Sequence, residues 1–140
     1  MVRMWGGTVY ECDEFYQKMD ELGIMVWQDF AFACSFYPQT EEYFSTIRDE
    51  IVKVVKRLRN FSCIVAWAGD NENDEFSLCY KVNPNYNRLN REIIPNLIQH
   101  HDLYRPYIVS SPFVSNNVYE KGYVQPEQHI WANRPYYKSA

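Results

Sequence analysis

Short apolar runs alternate along this chain with longer amphipathic patterns, and this alternation restricts the possible folds more than any other feature. The apolar runs predict five strands, at residues 2–5, 24–27, 63–67, 107–110 and 128–131. Most of the intervening segments show helical periodicity. Strand–helix–strand alternation favours a parallel sheet with helices packed outside it. The predicted fold class is therefore α/β.

The clearest helix is predicted at residues 41–59, where apolar side chains recur every three or four residues. Thr40 can cap its first turn. An earlier helical pattern ends before Gly23, a residue that suits the position after a helix end. A weaker pattern covers residues 87–100 and contains Pro95, which argues for a kink or a break there.

Composition and charge exclude several classes of function. The chain is 46% hydrophobic with a net charge of −4, so it can form a core and lacks the broad basic surface of a nucleic-acid-binding protein. Its one basic cluster, at residues 53–59, alternates with apolar residues and reads as the solvated side of a helix. No apolar stretch reaches the length of a membrane span. No phosphate loop or dinucleotide fingerprint indicates a cofactor.

The polar segment at residues 69–74 follows the most apolar predicted strand, and in parallel sheets the chemistry gathers at such strand ends. Glu72 stands there between two amides, so it can hydrogen-bond a sugar while remaining protonatable. A polar loop that caps the next helix is the alternative interpretation. A calcium loop would need Gly and an acid at the positions of Glu75 and Lys81, so no metal site is predicted.

Three segments are more informative together than apart: RMWGGTVYE at residues 3–11, DELGIMVWQDF at 20–30 and WAGDNEN at 67–73. In this order and spacing they closely resemble the β-mannosidases of glycoside hydrolase family 2. The sequences FAC at residues 32–34 and SSP at 110–112 agree with the same family. The likeness is strong up to about Pro112 and weaker beyond it.

The resemblance implies a (β/α)8 barrel catalytic domain, flanked in the family by β-sandwich domains, that removes terminal β-D-mannose. Residues 1–140 would form an incomplete TIM barrel, carrying about strands two to six with their helices. A full barrel needs roughly 250 residues, which is more than this chain contains. The expected partners are therefore a glycoside substrate and the rest of the parent barrel with its flanking domains.

The same resemblance assigns roles to five residues. By its position in the family motif, Glu72 would be the catalytic acid/base, and Asn71 would hold the 2-hydroxyl of the sugar. Arg3 resembles the arginine that supports the nucleophile. Trp5 and Asp29 would line the pocket for the terminal sugar.

Two further positions are matched more loosely, and two others depart from the family. His129 and Trp131 look like the family's His-x-Trp and are expected to contact substrate. The family often has Ser and Asn where this chain has Ala68 and Asp70. Asp70 is expected to add negative charge near Glu72.

A retaining glycosidase needs a second carboxyl group as its nucleophile. In the family this nucleophile lies on the seventh strand, and the chain ends at Ala140, before that strand is expected. The isolated chain is therefore predicted to be inactive. Two alternatives stay open: another family 2 exo-glycosidase (a β-galactosidase, β-glucuronidase or glucosaminidase), or a non-catalytic carbohydrate-binding protein. The sequence WQDF at residues 27–30 favours a mannosidase.

Overall fold

A computed structural model describes residues 1–129, which form an α/β fold around a four-stranded parallel sheet. The strands are β1 (Val2–Met4), β2 (Val26–Asp29), β3 (Ile64–Ala68) and β4 (Tyr107–Ile108). Each strand pairs with the next one along the chain, in the order β1-β2-β3-β4. The predicted α/β class and the parallel sheet are confirmed.

The connections between the strands carry the helices, which are α1 (Asp13–Leu22), α2 (Glu41–Leu58), α3 (Asn73–Cys79), α4 (Ile94–His101) and α5 (Asn116–Lys121). The predicted helix at residues 41–59 is confirmed as α2. Its Thr40 side chain accepts a hydrogen bond from the Tyr43 backbone N–H, as a capping residue should. Within residues 1–129, no helix has the length and apolarity needed to cross a bilayer.

The second strand begins two residues later than the apolar pattern predicts. Gly23 ends α1 in a left-handed conformation with a φ of 63°, and the N–H of Ile24 donates to the carbonyl of Met19 at 2.9 Å. Ile24 therefore completes the helix end before the strand starts. The fifth predicted strand is not seen at residues 128–129, and the rest of it lies outside the described residues.

Pro95 perturbs the helical segment that contains it without ending it. A π-helical turn spans Leu89–Ile93, α4 follows directly at Ile94, and the backbone at Arg88, Ile93 and Ile94 stays right-handed helical. The change of helix type therefore lies next to Pro95, whose missing N–H cannot pair with the preceding turn.

The core fills the space between the sheet and the helices with aromatic and branched side chains. Phe30 and Trp67 stack with ring centroids 5.4 Å apart, and both are fully buried. Two pairs of polar groups inside this core are joined by hydrogen bonds. The Tyr16 hydroxyl donates to Gln28 at 2.6 Å, and the Trp67 indole donates to Asp102 at 2.8 Å. This packing anchors β2 and β3, whose carboxyl ends carry the candidate site.

Candidate active site

Three extended segments continue the sheet beyond the carboxyl ends of β2, β3 and β4. Parallel bridges pair Ala33 with Asn71, and Asn71 with Ser111. These bridges keep the segments in register. Cys34 and Glu72, which follow the paired residues Ala33 and Asn71, therefore lie beside each other at the carboxyl end of the sheet. Strand ends that are far apart in sequence therefore meet, as expected for a parallel sheet.

Glu72 occupies the turn between β3 and α3. Its backbone is left-handed, with a φ of 63°, which is unfavourable for a residue with a side chain. Its N–H donates to the Ser111 carbonyl at 2.8 Å, and its own carbonyl accepts from the Phe76 N–H at 2.7 Å. The Glu72 side chain lies at the carboxyl end of the sheet and is 13% exposed, so its carboxyl group remains partly open to solvent.

Both oxygens of the Glu72 carboxyl group have a neighbour. Oε1 lies 2.6 Å from Nδ1 of His129, and Oε2 accepts from the Cys34 thiol at 3.3 Å. The Asn71 side-chain amide donates to the same sulfur at 3.6 Å. Asn71 is 5% exposed and is thus joined to Glu72 through Cys34.

Asp29, at the end of β2, forms a buried ion pair with Arg3 of β1. The Arg3 guanidinium donates to both carboxylate oxygens, at 2.9 to 3.1 Å. The Trp27 indole and the Gly6 backbone N–H donate to the same carboxylate, at 2.8 and 3.1 Å. Burial raises the pKa of Asp29, and the hydrogen bonds from Arg3, Trp27 and Gly6 oppose this shift.

His129 connects the ion pair to Glu72. Its Nε2 lies 3.2 Å from Arg3 Nη1, 3.2 Å from Ser111 Oγ and 3.5 Å from Glu127 Oε1. The Ser111 hydroxyl donates to Glu127 at 2.5 Å. Because a carboxylate only accepts, the 2.6 Å contact with Glu72 places a ring proton on Nδ1, while Nε2 faces the Arg3 guanidinium, the Ser111 hydroxyl and Glu127.

Asp70 departs from the sequence-based expectation. Its side chain is buried, accepts from the Ser110 hydroxyl at 2.6 Å and from the Asn73 N–H at 3.0 Å, and contacts the amide of Asn90. Burial raises the pKa of Asp70 to about 8. Burial therefore opposes the negative charge expected near Glu72, and the hydrogen bonds from Ser110 and Asn73 favour it.

Of the two tryptophans expected in the site, Trp5 lies within the described residues and takes no part in these side-chain hydrogen bonds. Trp5 follows β1 at the same end of the sheet and is 50% exposed. Its indole lies against Gly7, where an added Cβ would come within 2.2 Å of the ring. Trp131 lies outside the described residues. The hydrogen-bonded network thus contains five of the seven residues expected from the sequence: Arg3, Asp29, Asn71, Glu72 and His129.

Several contributing residues had no role assigned from the sequence, among them Ser111, which contacts Glu127 and His129. Cys34 stands in the FAC segment, where only the resemblance drew attention to it. Trp27 points its indole at Asp29, which is two residues later and on the same face of β2. Glu127 alternates with His129, and this spacing in an extended segment indicates that both side chains point the same way.

The arrangement provides one carboxyl group that can transfer a proton to or from a ligand. Two other carboxyl groups are close but already paired: Asp29 with Arg3, and Glu127 with Ser111. Glu72 is 13% exposed, and each of its oxygens is held by a donor, His129 on one and Cys34 on the other. Such a group suits general acid–base catalysis. Residues 1–129 contain no cluster of three or more His, Cys, Asp or Glu side chains that could hold a metal ion.

Comparison with curated proteins finds close relatives over most of this chain. It is 37% identical over 138 residues to a β-mannosidase of Capra hircus, in an alignment that covers 91% of this chain and 16% of that protein. The chain therefore spans about a sixth of the length of this curated relative. No family model matches the chain.

Solved structures give a concordant result. The crystal structure of a β-D-mannosidase from Dictyoglomus thermophilum matches with a TM-score of 0.71 and 38% identity, covering 82% of this chain and 15% of that one. A β-glucuronidase from Bacteroides uniformis matches with a TM-score of 0.61 but 19% identity, covering 86% of this chain and 15% of that one. At that identity the likeness to the glucuronidase concerns the fold alone.

Proposed function

This chain is β-mannosidase-like, of the glycoside hydrolase family 2 type, and from this relationship we propose that it supplies the acid/base half of a retaining exo-glycosidase site for terminal β-D-mannosides. The observation that carries the proposal is the Glu72 carboxyl group. It follows the most apolar strand, is partly open to solvent, and is held on both oxygens by neighbouring side chains.

We propose that the four parallel strands are consecutive strands of a (β/α)8 barrel, beginning with the second. Residues 1–140 would then be part of one catalytic domain. The order β1-β2-β3-β4, with helices in the connections, supports this proposal. The partners of the chain would be the remaining strands of the barrel and the β-sandwich domains that flank it.

In the proposed reaction, Glu72 first protonates the oxygen of the leaving group and then takes a proton from the water that attacks the glycosyl-enzyme. A second carboxylate about 5–5.5 Å away attacks the anomeric carbon in a retaining enzyme. We propose that this nucleophile lies outside residues 1–140, because Asp29 and Glu127 are already committed to Arg3 and Ser111.

The surrounding side chains would bind the terminal sugar. The Asn71 amide would hold the 2-hydroxyl, and the buried Arg3–Asp29 pair would orient the site and the incoming nucleophile. Trp5, half exposed at the same carboxyl end of the sheet, offers an apolar face of the kind that covers a sugar ring. Trp131 is proposed as a further substrate contact by its position in the sequence.

The first test is the DNA on both sides of this reading frame. A frame that continues to a strand carrying a second glutamate would identify the full-length protein to assay. We expect that protein to hydrolyse aryl β-D-mannosides, and Glu72→Gln to reduce kcat/KM for poor leaving groups by about 10²–10⁴-fold, the usual contribution of a general acid. Glu42→Gln is the matched control, since it makes the same change at an exposed glutamate of α2, outside the hydrogen-bonded network.

Several outcomes would contradict the proposal. Robust, Glu72-dependent hydrolysis by residues 1–140 alone would refute the missing nucleophile. Faster hydrolysis of aryl β-galactosides, β-glucuronides or N-acetyl-β-glucosaminides would change the assigned sugar. Sugar binding without hydrolysis, even in the full-length protein, would leave a carbohydrate-binding role.

A further inference from the structure

Cys34 is the residue that contacts the proposed acid/base on the side opposite His129. Its sulfur lies 3.3 Å from Glu72 Oε2 and accepts from the Asn71 amide at 3.6 Å. It therefore stands between the group that would transfer the proton and the group that would hold the sugar. Glycoside hydrolysis itself requires no thiol.

The backbone around Cys34 is held so that the thiol reaches this position. The Cys34 N–H donates to the Asn71 carbonyl at 2.9 Å, next to the parallel bridge between Ala33 and Asn71. Cys34 has a φ of 45°, in the left-handed region that residues with a side chain avoid. Such strained conformations persist where the surrounding structure determines them, and they cluster at functional sites.

The contacts also distinguish the two oxygens of Glu72. A carboxylate only accepts, so the 2.6 Å contact of Oε1 with His129 places a ring proton on Nδ1, and Oε1 accepts it. With that proton kept on Nδ1, the proton that Glu72 takes up resides on Oε2. This is the oxygen that faces Cys34.

We propose that Cys34 is a positioning residue for the acid/base: its thiol holds Oε2 of Glu72 as the oxygen that carries the catalytic proton. This inference rests on the proposed function. A thiol donates weakly to a carboxylate and accepts weakly from a carboxylic acid. It can therefore keep its contact in both protonation states of Glu72 without competing with substrate for the proton.

The charge state of the thiol fits this role. Burial raises the pKa of Cys34, and the hydrogen bond to Glu72 raises it further. At neutral pH the side chain is therefore an uncharged thiol, which donates to the carboxylate instead of repelling it. The titratable and charged groups around the pair are His129 on the other oxygen, Arg3 and Glu127 beyond it, and Asp70, whose charge also raises the pKa of Cys34.

The contact can be tested on this chain without any enzymatic activity. The rate of iodoacetamide alkylation of each cysteine is measured against pH, peptide by peptide, in the natural chain and in Glu72→Gln. We expect Glu72→Gln to lower the apparent pKa of the Cys34 thiol. Cys12 and Cys79, which are also exposed, should keep their pH profiles and serve as references in the same samples.

The buried Cys63 reports whether the variant is folded. If it becomes as reactive as the exposed thiols, the comparison is repeated with Glu72→Asp, whose shorter side chain withdraws the carboxylate from the sulfur. An unchanged pH profile for Cys34 in the folded variant would overturn the contact, whether or not Glu72 is the acid.

The catalytic consequence is tested in the full-length protein with leaving groups of different acidity. Cys34→Ala should reduce kcat/KM for a mannoside with a poor leaving group by about 10-fold, less than the loss of the acid itself. A dinitrophenyl mannoside needs little protonation, so its hydrolysis should change by less than about 2-fold. Cys34→Ser retains a donor and acceptor and should recover most of the rate, while Cys79→Ala is the thiol-deletion control.

The two proposals fail in different ways. If Glu72→Gln affects good and poor leaving groups equally, then Glu72 is not the acid, and both proposals fall. If Glu72→Gln discriminates between the leaving groups but Cys34→Ala slows both equally or neither, only the role of Cys34 is refuted.

Discussion

Asp70 and Asp74, four residues apart, show that a buried carboxyl group is defined by its partners. Both side chains are fully buried, and burial raises the pKa of both. Asp74 is paired with the Arg91 guanidinium at 2.7 Å, whereas Asp70 has Ser110 and amide groups as its neighbours. A charged aspartate is therefore supported at position 74 and opposed at position 70.

The first residue-scale prediction concerns the pH dependence of stability. The pKa of Asp70 is about 8 in the folded chain and about 3.9 in an unfolded one. Between these values the folded state binds a proton that the unfolded state lacks, so the free energy of unfolding falls as pH rises from about 4 to 8. Asp70→Asn cannot ionise and should be more stable than the natural chain at pH 8 by more than about 1 kcal/mol.

Urea denaturation of residues 1–140 at pH 5 and pH 8 measures this difference. Asp74→Asn is the matched control. It should lower the free energy of unfolding, because it leaves the Arg91 guanidinium unpaired. Equal pH dependence in Asp70→Asn and the natural chain would show that Asp70 ionises normally in the folded state.

Helix α2 is the element whose sequence and structure agree best. Its apolar stripe (Phe44, Ile47, Ile51, Val54 and Leu58) is buried. Its acidic residues lie in the first turn and its basic residues in the last, which complements the helix dipole. Local signals suffice here because capping, charge and periodicity all favour the same element.

The prediction at this scale concerns the cap of α2. Thr40→Ala removes the side-chain acceptor of the Tyr43 N–H and should lower the free energy of unfolding by about 1 kcal/mol. Thr46→Ala removes an exposed hydroxyl inside the same helix and should be neutral or slightly stabilising, since Ala is the better helix former. Urea titrations give the free energy of unfolding of both variants. An equal decrease in the two would contradict this interpretation.

Strand bounds were less predictable than helix bounds. The apolar run that includes Ile24 predicts a strand, but the chain uses Ile24 to end α1, and β2 runs instead to the polar residues Gln28 and Asp29. Those polar side chains are stable inside the fold because Tyr16 and Arg3, on other elements, are their partners. Strand bounds therefore depend on contacts that are distant in sequence.

At the scale of the whole molecule, the two outer strands of the sheet expose backbone groups that can pair with another chain. Among residues 1–129, β1 and β4 each pair on one side only. Val2 on β1 is 38% exposed. Unpaired strand edges promote association between chains.

We expect residues 1–140, produced alone, to self-associate through these edges. Light scattering should give an apparent mass that rises with concentration. Val2→Lys, which places a charge on the outer strand, should reduce the association. Val9→Lys is the control, because Val9 is exposed but lies outside any strand. A monomer that melts cooperatively at all concentrations would contradict this expectation.

The sequence by itself determined the α/β class, the parallel sheet, helix α2, the irregular helix around Pro95 and the identity of Glu72 as the central candidate. These features follow from local periodicity and capping, together with a motif that the resemblance makes recognisable. Local chemistry of this kind is present in the sequence before any fold is known.

Only the tertiary structure decided how the site is held together. The contact of the Cys34 thiol, the ring proton of His129 that faces Glu72 and the raised pKa of Asp70 all depend on groups that lie 20 or more residues away in sequence. Burial changes a pKa, and a distant carboxylate places a ring proton, only after the chain has brought these groups together. No pattern along the sequence encodes those distances, so the electrostatics of the site belong to the folded molecule.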